Sequence, residues 1–378
     1  MFNNNKLKIK TILYLGGFEL PDKNAAAQRV MANAKLLCEI GFEVSFIGIS
    51  KDIKNAPAVV DGFKSNPVSY AKNVKQWMHQ IFTFVEKEVI LESKPDYVVL
   101  YNFPAIASLR ILKICHKRGI KVVHDLTEWE SNNRWSLTDV MRKIDINLRM
   151  RYCMKRMDGV IAISRYLYEY YKSYTDTIMI PPTVDLQNQK FCRNRKLTAL
   201  EKTTKLVYAG NAGLSVSKDR PDYIIKEVNA LPRVQLDIVG LSKAQFRSVL
   251  GDEVEISENI IFHGRVSHSE AVQFVCNADF QMLIRENSLK NKAGFPTKFV
   301  ESFACCTPVI ATLTSNIGDY LIDGVNGFVV SEKQSLKQVL EKVSYLSVEE
   351  RIKMKAACRN FENFDYRCYK EEFSKIFK

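Results

Sequence analysis

Residues 10–50 read KTILYLGGFELPDKNAAAQRVMANAKLLCEIGFEVSFIGIS, and the order of their pieces decides the fold. KTILYLGG is a short apolar run that ends on Gly16 and Gly17. After a polar loop, NAAAQRVMANAKLLCEIG carries apolar residues at helical spacing and closes on Gly41, and FEVSFIGIS returns to a strand pattern. Strand, glycine turn, helix and strand form a βαβ unit, whose two strands lie parallel in one sheet.

The same rhythm continues outward. A long amphipathic stretch near 70–93 precedes the strand YVVLYN (97–102), then come the helix AIASLRILKICHKRG, the strand KVVHDL, a basic helix near 138–157 and the strand GVIAIS (159–164). Residues 181–204 open on two prolines and stay polar, as a linker does. Strands then resume at LVYAG, VQLDIVG, NIIFHG, FQMLI and PVIAT, with helices between them, and the last segment is helical apart from a break near 363–365. At ~100–200 residues per domain, 378 residues make two. The expected domains are 1–184 and 185–362, with 363–378 a C-terminal helix packing back toward the first. Two such α/β halves would bind ligands in a cleft at the carboxyl ends of their strands.

Composition narrows the function. Residues 1–184 hold 27 Lys/Arg against 18 Asp/Glu, a net +9 of the chain's total +13, so the basic excess sits mainly in the first half. Such a surface attracts nucleic acid, anionic membrane or phosphorylated ligands. No nucleic-acid-binding motif or aromatic interleaving accompanies it, so nucleic acid is not expected as a partner. The nine cysteines contain no C-x-x-C pair, which leaves reduced core thiols in a cytosolic protein as the simplest account. No apolar segment reaches the ~20 residues that span a bilayer, so any membrane role is expected to be peripheral.

One stretch concentrates the chemistry. NKAGFPTKFVESF (291–303) places Lys298 and Glu301 on one face of a helix whose other face, with the i,i+4 pairs Phe299/Phe303 and Val300/Ala304, suits the core. Pro296 fits the first turn and Gly294 a tight approach to it. A helix start favours an anion and Lys298 adds a point charge suited to phosphate, while Glu301 can accept hydrogen bonds from a pair of hydroxyls such as those of a ribose. The alternative is an exposed i,i+3 ion pair worth ~0.2–0.5 kcal/mol.

With LIREN (283–287) before PTKFVE (296–301) and CCTPVIA after it, this region resembles the retaining glycosyltransferases of the GT-B fold, family 4, in a bacterial surface-polysaccharide branch. LGGFELPDKNAAAQRV, VVHDLTEWE, GVIAISRYL, IPPTVD, VYAGNAGLSVSKD, FHGRVSHSE and DGVNGFVV resemble further family pieces in the family's order. The resemblance implies two Rossmann-like doubly wound domains facing each other across a cleft. It implies that Lys218, Arg285 and Lys298 neutralise the diphosphate of a nucleotide-sugar donor, that Glu301 holds the ribose, that the backbone at Gly16 and Gly17 approaches the diphosphate or the sugar, and that Gly264, Arg265 and Val266 border the base. His124, Asp125 and Glu128, at a strand end, would orient the acceptor hydroxyl or the transferred sugar as the catalytic set.

Two positions depart from the family pattern. Ala293 stands where the common E-x7-E pattern has its first glutamate, and Cys306 replaces a small glycine. No two aspartates are separated by a single residue, so the D-x-D metal–diphosphate motif is absent, and neither a metal nor another cofactor is expected.

The basic helix VMRKIDINLRMRYCMKR has six Lys/Arg and one acid, with Val140, Ile144, Leu148 and Tyr152 recurring every four residues as a face to pack on the sheet. Its positive face suits anionic lipid, and so an acceptor carried on a polyprenyl diphosphate. The expected protein is a glycosyltransferase of capsule, O-antigen or exopolysaccharide synthesis, cytoplasmic, at the inner face of the membrane. The alternatives are a nucleotide-sugar epimerase or hydrolase of the same fold and a catalytically silent nucleotide-sugar-binding or scaffold subunit. A dinucleotide oxidoreductase is disfavoured because GGFELP lacks G-x-G-x-x-G and FEVSFIGIS has no acid at its end.

Overall fold

The computed structural model describes residues 9–21, 23–129, 136–210, 219–250 and 255–378. The chain forms two compact units, residues 1–183 with 366–378, and residues 184–365.

In the first unit the main sheet runs, edge to edge, Val59–Val60, Phe63–Ser65, Phe42–Ile47, Lys10–Gly16, Tyr97–Tyr101, Lys121–Leu126, Gly159–Ala162 and Thr177–Met179. Only the Val59–Val60 edge is antiparallel. The sheet order reverses beside Lys10–Gly16, because the chain first builds outward on one side and then crosses to the other. Helix Ala25–Glu39, capped by the Asn24 side chain, buries Ala27, Val30, Ala34 and Leu37 against the sheet.

The chain's last residues complete this core. Phe373, Ile376 and Phe377 join its apolar cluster, and the Phe377 ring lies 5.2 Å from that of Tyr97 and 6.0 Å from that of Phe42. Tyr366 donates to Glu39 at 2.7 Å.

The amphipathic stretch near 70–93 is two helices, Val74–Phe82 and Lys87–Ser93. One reading of this unit needs revision. The basic helix is α-helical only over Leu137–Leu148, then widens to a π-turn at Arg149–Cys153 and tightens to a 3₁₀ turn at Met154–Arg156. The buried face is offset from the expected four-residue stripe: Ile144 and Tyr152 are exposed, while Ile146, Met150, Cys153 and Met154 are buried. Arg149 also turns inward, where it donates to the Asn102 carbonyl at 2.8 Å.

The second unit repeats the plan. Its sheet runs Ile260–Gly264, Val234–Val239, Thr204–Ala209, Phe280–Leu283, Val309–Thr312 and Gly327–Val330, all parallel, with the reversal between Thr204–Ala209 and Phe280–Leu283. Apolar clusters cover both faces, as a parallel sheet requires. At the sheet's amino end Asp279, 2% exposed, holds the buried cations Arg351 at 2.9 Å and Lys355 at 3.4 Å. Cys306 has a left-handed backbone, φ 58°, which is the conformation that a glycine adopts without strain.

Candidate functional site

The site is built where the second sheet reverses. Thr204–Ala209 ends at Gly210 and Phe280–Leu283 runs on into Ile284 and Arg285, so both chain ends emerge beside the crevice at which doubly wound sheets bind ligands. Asp219 lies there, 5% exposed, and organises its neighbours. Arg285 Nε donates to one carboxylate oxygen at 2.7 Å, and Lys298 Nζ donates to the other at 2.5 Å. The Tyr208 hydroxyl donates to it at 3.1 Å, and its ring lies 4.7 Å beneath the Lys298 ammonium.

Burial alone would raise the Asp219 pKa, but Lys298 and Arg285 outweigh it and hold the carboxyl well below its usual range. Burial pushes the Lys298 ammonium down, and Asp219 opposes that shift. Burial and the neighbouring Asp219 keep Tyr208 protonated. Two cations thus share one anion. Their side chains are 6% and 19% exposed, so the surplus positive charge is fixed in place and still accessible.

Local structure explains why Lys298 points there. Helix Thr297–Ala304 buries Phe299, Val300, Phe303 and Ala304, with the Phe299 and Phe303 rings 4.7 Å apart, which turns Lys298 and Glu301 away from the core. Pro296 is the residue that caps this helix rather than part of its first turn. Gly294 has φ −83°, which any residue adopts, so its expected conformational role is absent. The glycine that matters is Gly210: a Cβ there would lie 1.9 Å from Lys298 Nζ. Glu301 pairs with His268 at 2.9 Å, and His268 is the first residue of a helix held by a Ser267/Glu270 capping box.

The remaining expected residues separate. Arg265 is exposed beside Gly264, whose φ is +65°. Lys218 lies outside the described residues. Gly16 is glycine for packing, since a Cβ would meet the Tyr101 carbonyl at 2.5 Å, whereas Gly17 is exposed with open space around it.

His124 and Asp125 are both fully buried, which differs from the acceptor-facing role expected of them. Asp125 accepts from Tyr14 at 2.5 Å, from Arg29 at 2.8 Å and from Asn33 at 3.1 Å, so its partners are all internal. Burial, helped by Arg149, pushes the His124 imidazole down to about 3, and its Nε2 accepts from the Phe103 backbone. Strand Lys121–Leu126 is covered on both faces, so alternate residues are equally hidden. Of the three, only Glu128 is half-exposed. Ala293 is fully buried, a methyl group where the family pattern has a carboxylate.

Asp219, Tyr208, Gly210 and the pairing of His268 escaped the sequence reading. Asp219 precedes Arg220-Pro221 at a helix start, a local signal that explains a turn but not a partner 79 residues away.

Residues 194–361, which contain this whole cluster, match the family model for glycosyl transferases group 1. The match covers most of the second unit. A 90-residue stretch is 32% identical to the uncharacterized glycosyltransferase MJ1178 of Methanocaldococcus jannaschii, and it spans 24% of each chain, about a quarter of that relative's length. Sucrose-phosphate synthase from Thermosynechococcus elongatus has a similar fold over 97% of this chain and 98% of its own, at 15% identity and a TM-score of 0.70. Anabaena Alr3699/HepE in complex with UDP matches 97% of this chain and 99% of its own, at 14% identity and a TM-score of 0.63. The lipopolysaccharide outer core galactosyltransferase WaaB matches the same shares at 15% identity and a TM-score of 0.61. Two parallel-sheet α/β units arranged in this order are the GT-B fold.

Proposed function

We propose that the chain is a glycosyltransferase that takes a sugar from a nucleoside-diphosphate sugar and passes it, with retention of anomeric configuration, to a lipid-linked glycan of a bacterial surface polysaccharide. The observation that carries this reading is the surplus cation of the Asp219–Arg285–Lys298 cluster, held at the reversal of the sheet in the unit that matches the family. Negative charge develops on the leaving diphosphate as the glycosidic bond breaks. Donors already fixed against Asp219 stabilise that charge without reorganising, the kind of effect worth ~2.7–4 kcal/mol for a single group. In this reading Glu301, which His268 orients, accepts hydrogen bonds from the ribose hydroxyls. In this reading Lys298 and Arg285 do what a metal ion does elsewhere, and Glu128 is the remaining candidate of the expected catalytic set. The complexes of Alr3699/HepE with UDP and with UDP-glucose support a nucleotide-sugar donor.

A membrane-side acceptor is supported by the surface of the first unit. Besides the inward Arg149 there are seven Lys/Arg between residues 142 and 172 against three Asp/Glu, and Lys155 lies over Tyr174, Arg156 over Tyr152 and Lys172 over Tyr168, while Arg151 lies over the buried Trp129. Each basic side chain near anionic lipid contributes ~1 kcal/mol. Among the described residues no helix is long and apolar enough to cross a membrane.

Ala293 favours one other reading, a binding subunit without turnover. Calorimetry with a panel of nucleoside-diphosphate sugars, followed by assay with an undecaprenyl-diphosphate glycan, separates the two. Binding that disappears in Lys298→Ala and Glu301→Ala, together with sugar transfer, supports the enzyme. Tight binding with neither transfer nor nucleotide release supports the subunit, and unaltered binding in both variants overturns the site itself.

A further inference from the structure

The helices of this site end in thiols. Thr297–Ala304, which carries Lys298 and Glu301, is closed by Cys305, and His268–Asn277, which begins at His268, ends at Cys276 and Asn277. Over eight residues, ~12 Å of helix separates the two ends. The Cys276 thiol donates to the Phe191 carbonyl at 3.4 Å, and the Cys305 thiol donates at 3.9 Å to the carbonyl of Val272, one turn before Cys276 on the same helix. The neighbouring Cys305 and Cys192 thiols and the charge of Arg195 lower the Cys276 pKa against its partial burial, while burial pushes the other two thiols up. A cavity of about 120 Å³ is lined by these thiols and by Arg195, Lys196 and Lys355. Cys276 and Cys192 are half-exposed and Cys305 is buried. A half-exposed thiol that shares a recess with two other thiols and with basic side chains is set up to react as a thiolate.

We propose that Cys276 is an oxidisable modification site, at which hydrogen peroxide or an organic hydroperoxide is reduced and Cys305 closes a reversible Cys276–Cys305 disulfide. The Cys276 thiolate attacks one peroxide oxygen, the O–O bond breaks, and the departing hydroxide or alkoxide takes up a proton, leaving Cys276 as a sulfenic acid. The Cys305 sulfur then attacks the Cys276 sulfur and a molecule of water leaves with the thiol proton and the sulfenic hydroxyl. Two thiols lose two electrons and one peroxide gains them. The bond would tie Cys276, near the end of the helix that begins at His268, to Cys305, one turn beyond the Glu301 that His268 pairs with, so oxidation would brace the wall that carries Lys298. This inference concerns thiols alone and stands or falls independently of the donor reading.

The test treats the full chain with sub-stoichiometric hydrogen peroxide, blocks remaining thiols with N-ethylmaleimide and maps peptides by mass spectrometry. Cys276 should oxidise about tenfold faster than the exposed Cys38, whose thiol is pushed up by partial burial and sits beside Glu43. The mapped bond should join Cys276 to Cys305 and disappear on reduction with dithiothreitol. Dimedone trapping of the wild-type chain at early times needs no variant, and Cys305→Ser should increase the adduct on Cys276. Oxidation of Cys38 at the same rate as Cys276, a bond from Cys276 to Cys192 instead, or no dimedone adduct at Cys276 would overturn the proposal.

Discussion

The two units share a strand order, and each sets a tyrosine from its first strand against a buried aspartate. In the first unit Tyr14 meets Asp125, and in the second Tyr208 meets Asp219. The settings then diverge. Asp125 has one cation, Arg29, which is 2% exposed and also donates to the Ile180 and Pro181 carbonyls, so charge is balanced and closed off. Asp219 has two cations and one of them is 19% exposed, so charge is left over and open. The same device therefore serves different ends: one carboxylate locks an interior, and the other aims two cations at whatever arrives.

The strongest way to break this contrast is Asp125→Ala. It strands Arg29 without a counter-charge in the core and should cost ~3–5 kcal/mol of stability in denaturant titration. A loss below ~1 kcal/mol would mean that Asp125 is not structural. Lys298→Ala should do the reverse, leaving Asp219 paired with Arg285 and the fold intact by circular dichroism while turnover falls by about 10²–10³-fold.

Acid should distinguish the units next. His124 has its pKa pushed down to about 3, so as pH falls from ~6.5 toward 3 the unfolded chain takes up a proton that the folded chain does not. From this group the first unit loses up to ~1.4 kcal/mol per pH unit across that window. Asp219 is depressed, so its contribution is intact above ~4 and is lost only as pH falls below that. Hydrogen exchange at pH 7, 5 and 4 should show the strands 97–101 and 121–126 opening before 204–209 and 234–239. Simultaneous opening that begins only below pH 4 would contradict this assignment. The smallest effect is expected of Gly210→Ala, whose new methyl displaces the Lys298 ammonium and should weaken nucleoside-diphosphate binding about tenfold, ~1.4 kcal/mol.

What the sequence could show follows the same physical divide. Periodicity and glycine turns mark the βαβ rhythm because they are local. The Lys298/Glu301 face was legible because three residues along a helix return to nearly the same side, and Phe299 and Phe303 identify the opposite one. Asp219 was not legible, since its meaning comes from Arg285 and Lys298, 66 and 79 residues away. His124 and Asp125 were misleading for a related reason: a strand end in a sheet covered on both faces reads as an approach to a cleft until burial is known. The stripe through Ile144 and Tyr152 failed because the buried face begins two residues on, at Ile146, and is already so in the regular helix before the π-turn at Arg149–Cys153.

The tail at Tyr366–Lys378 has a consequence for how the protein is made. Phe42 and Tyr97 belong to the first eighth and first third of the sequence, yet the ring that covers them, Phe377, is added only some 280 residues after Tyr97. The first unit therefore cannot finish its core in the order of synthesis. A fragment that ends at residue 365 would emerge with an open apolar seam, and a chaperone or a neighbouring nascent chain would meet it there.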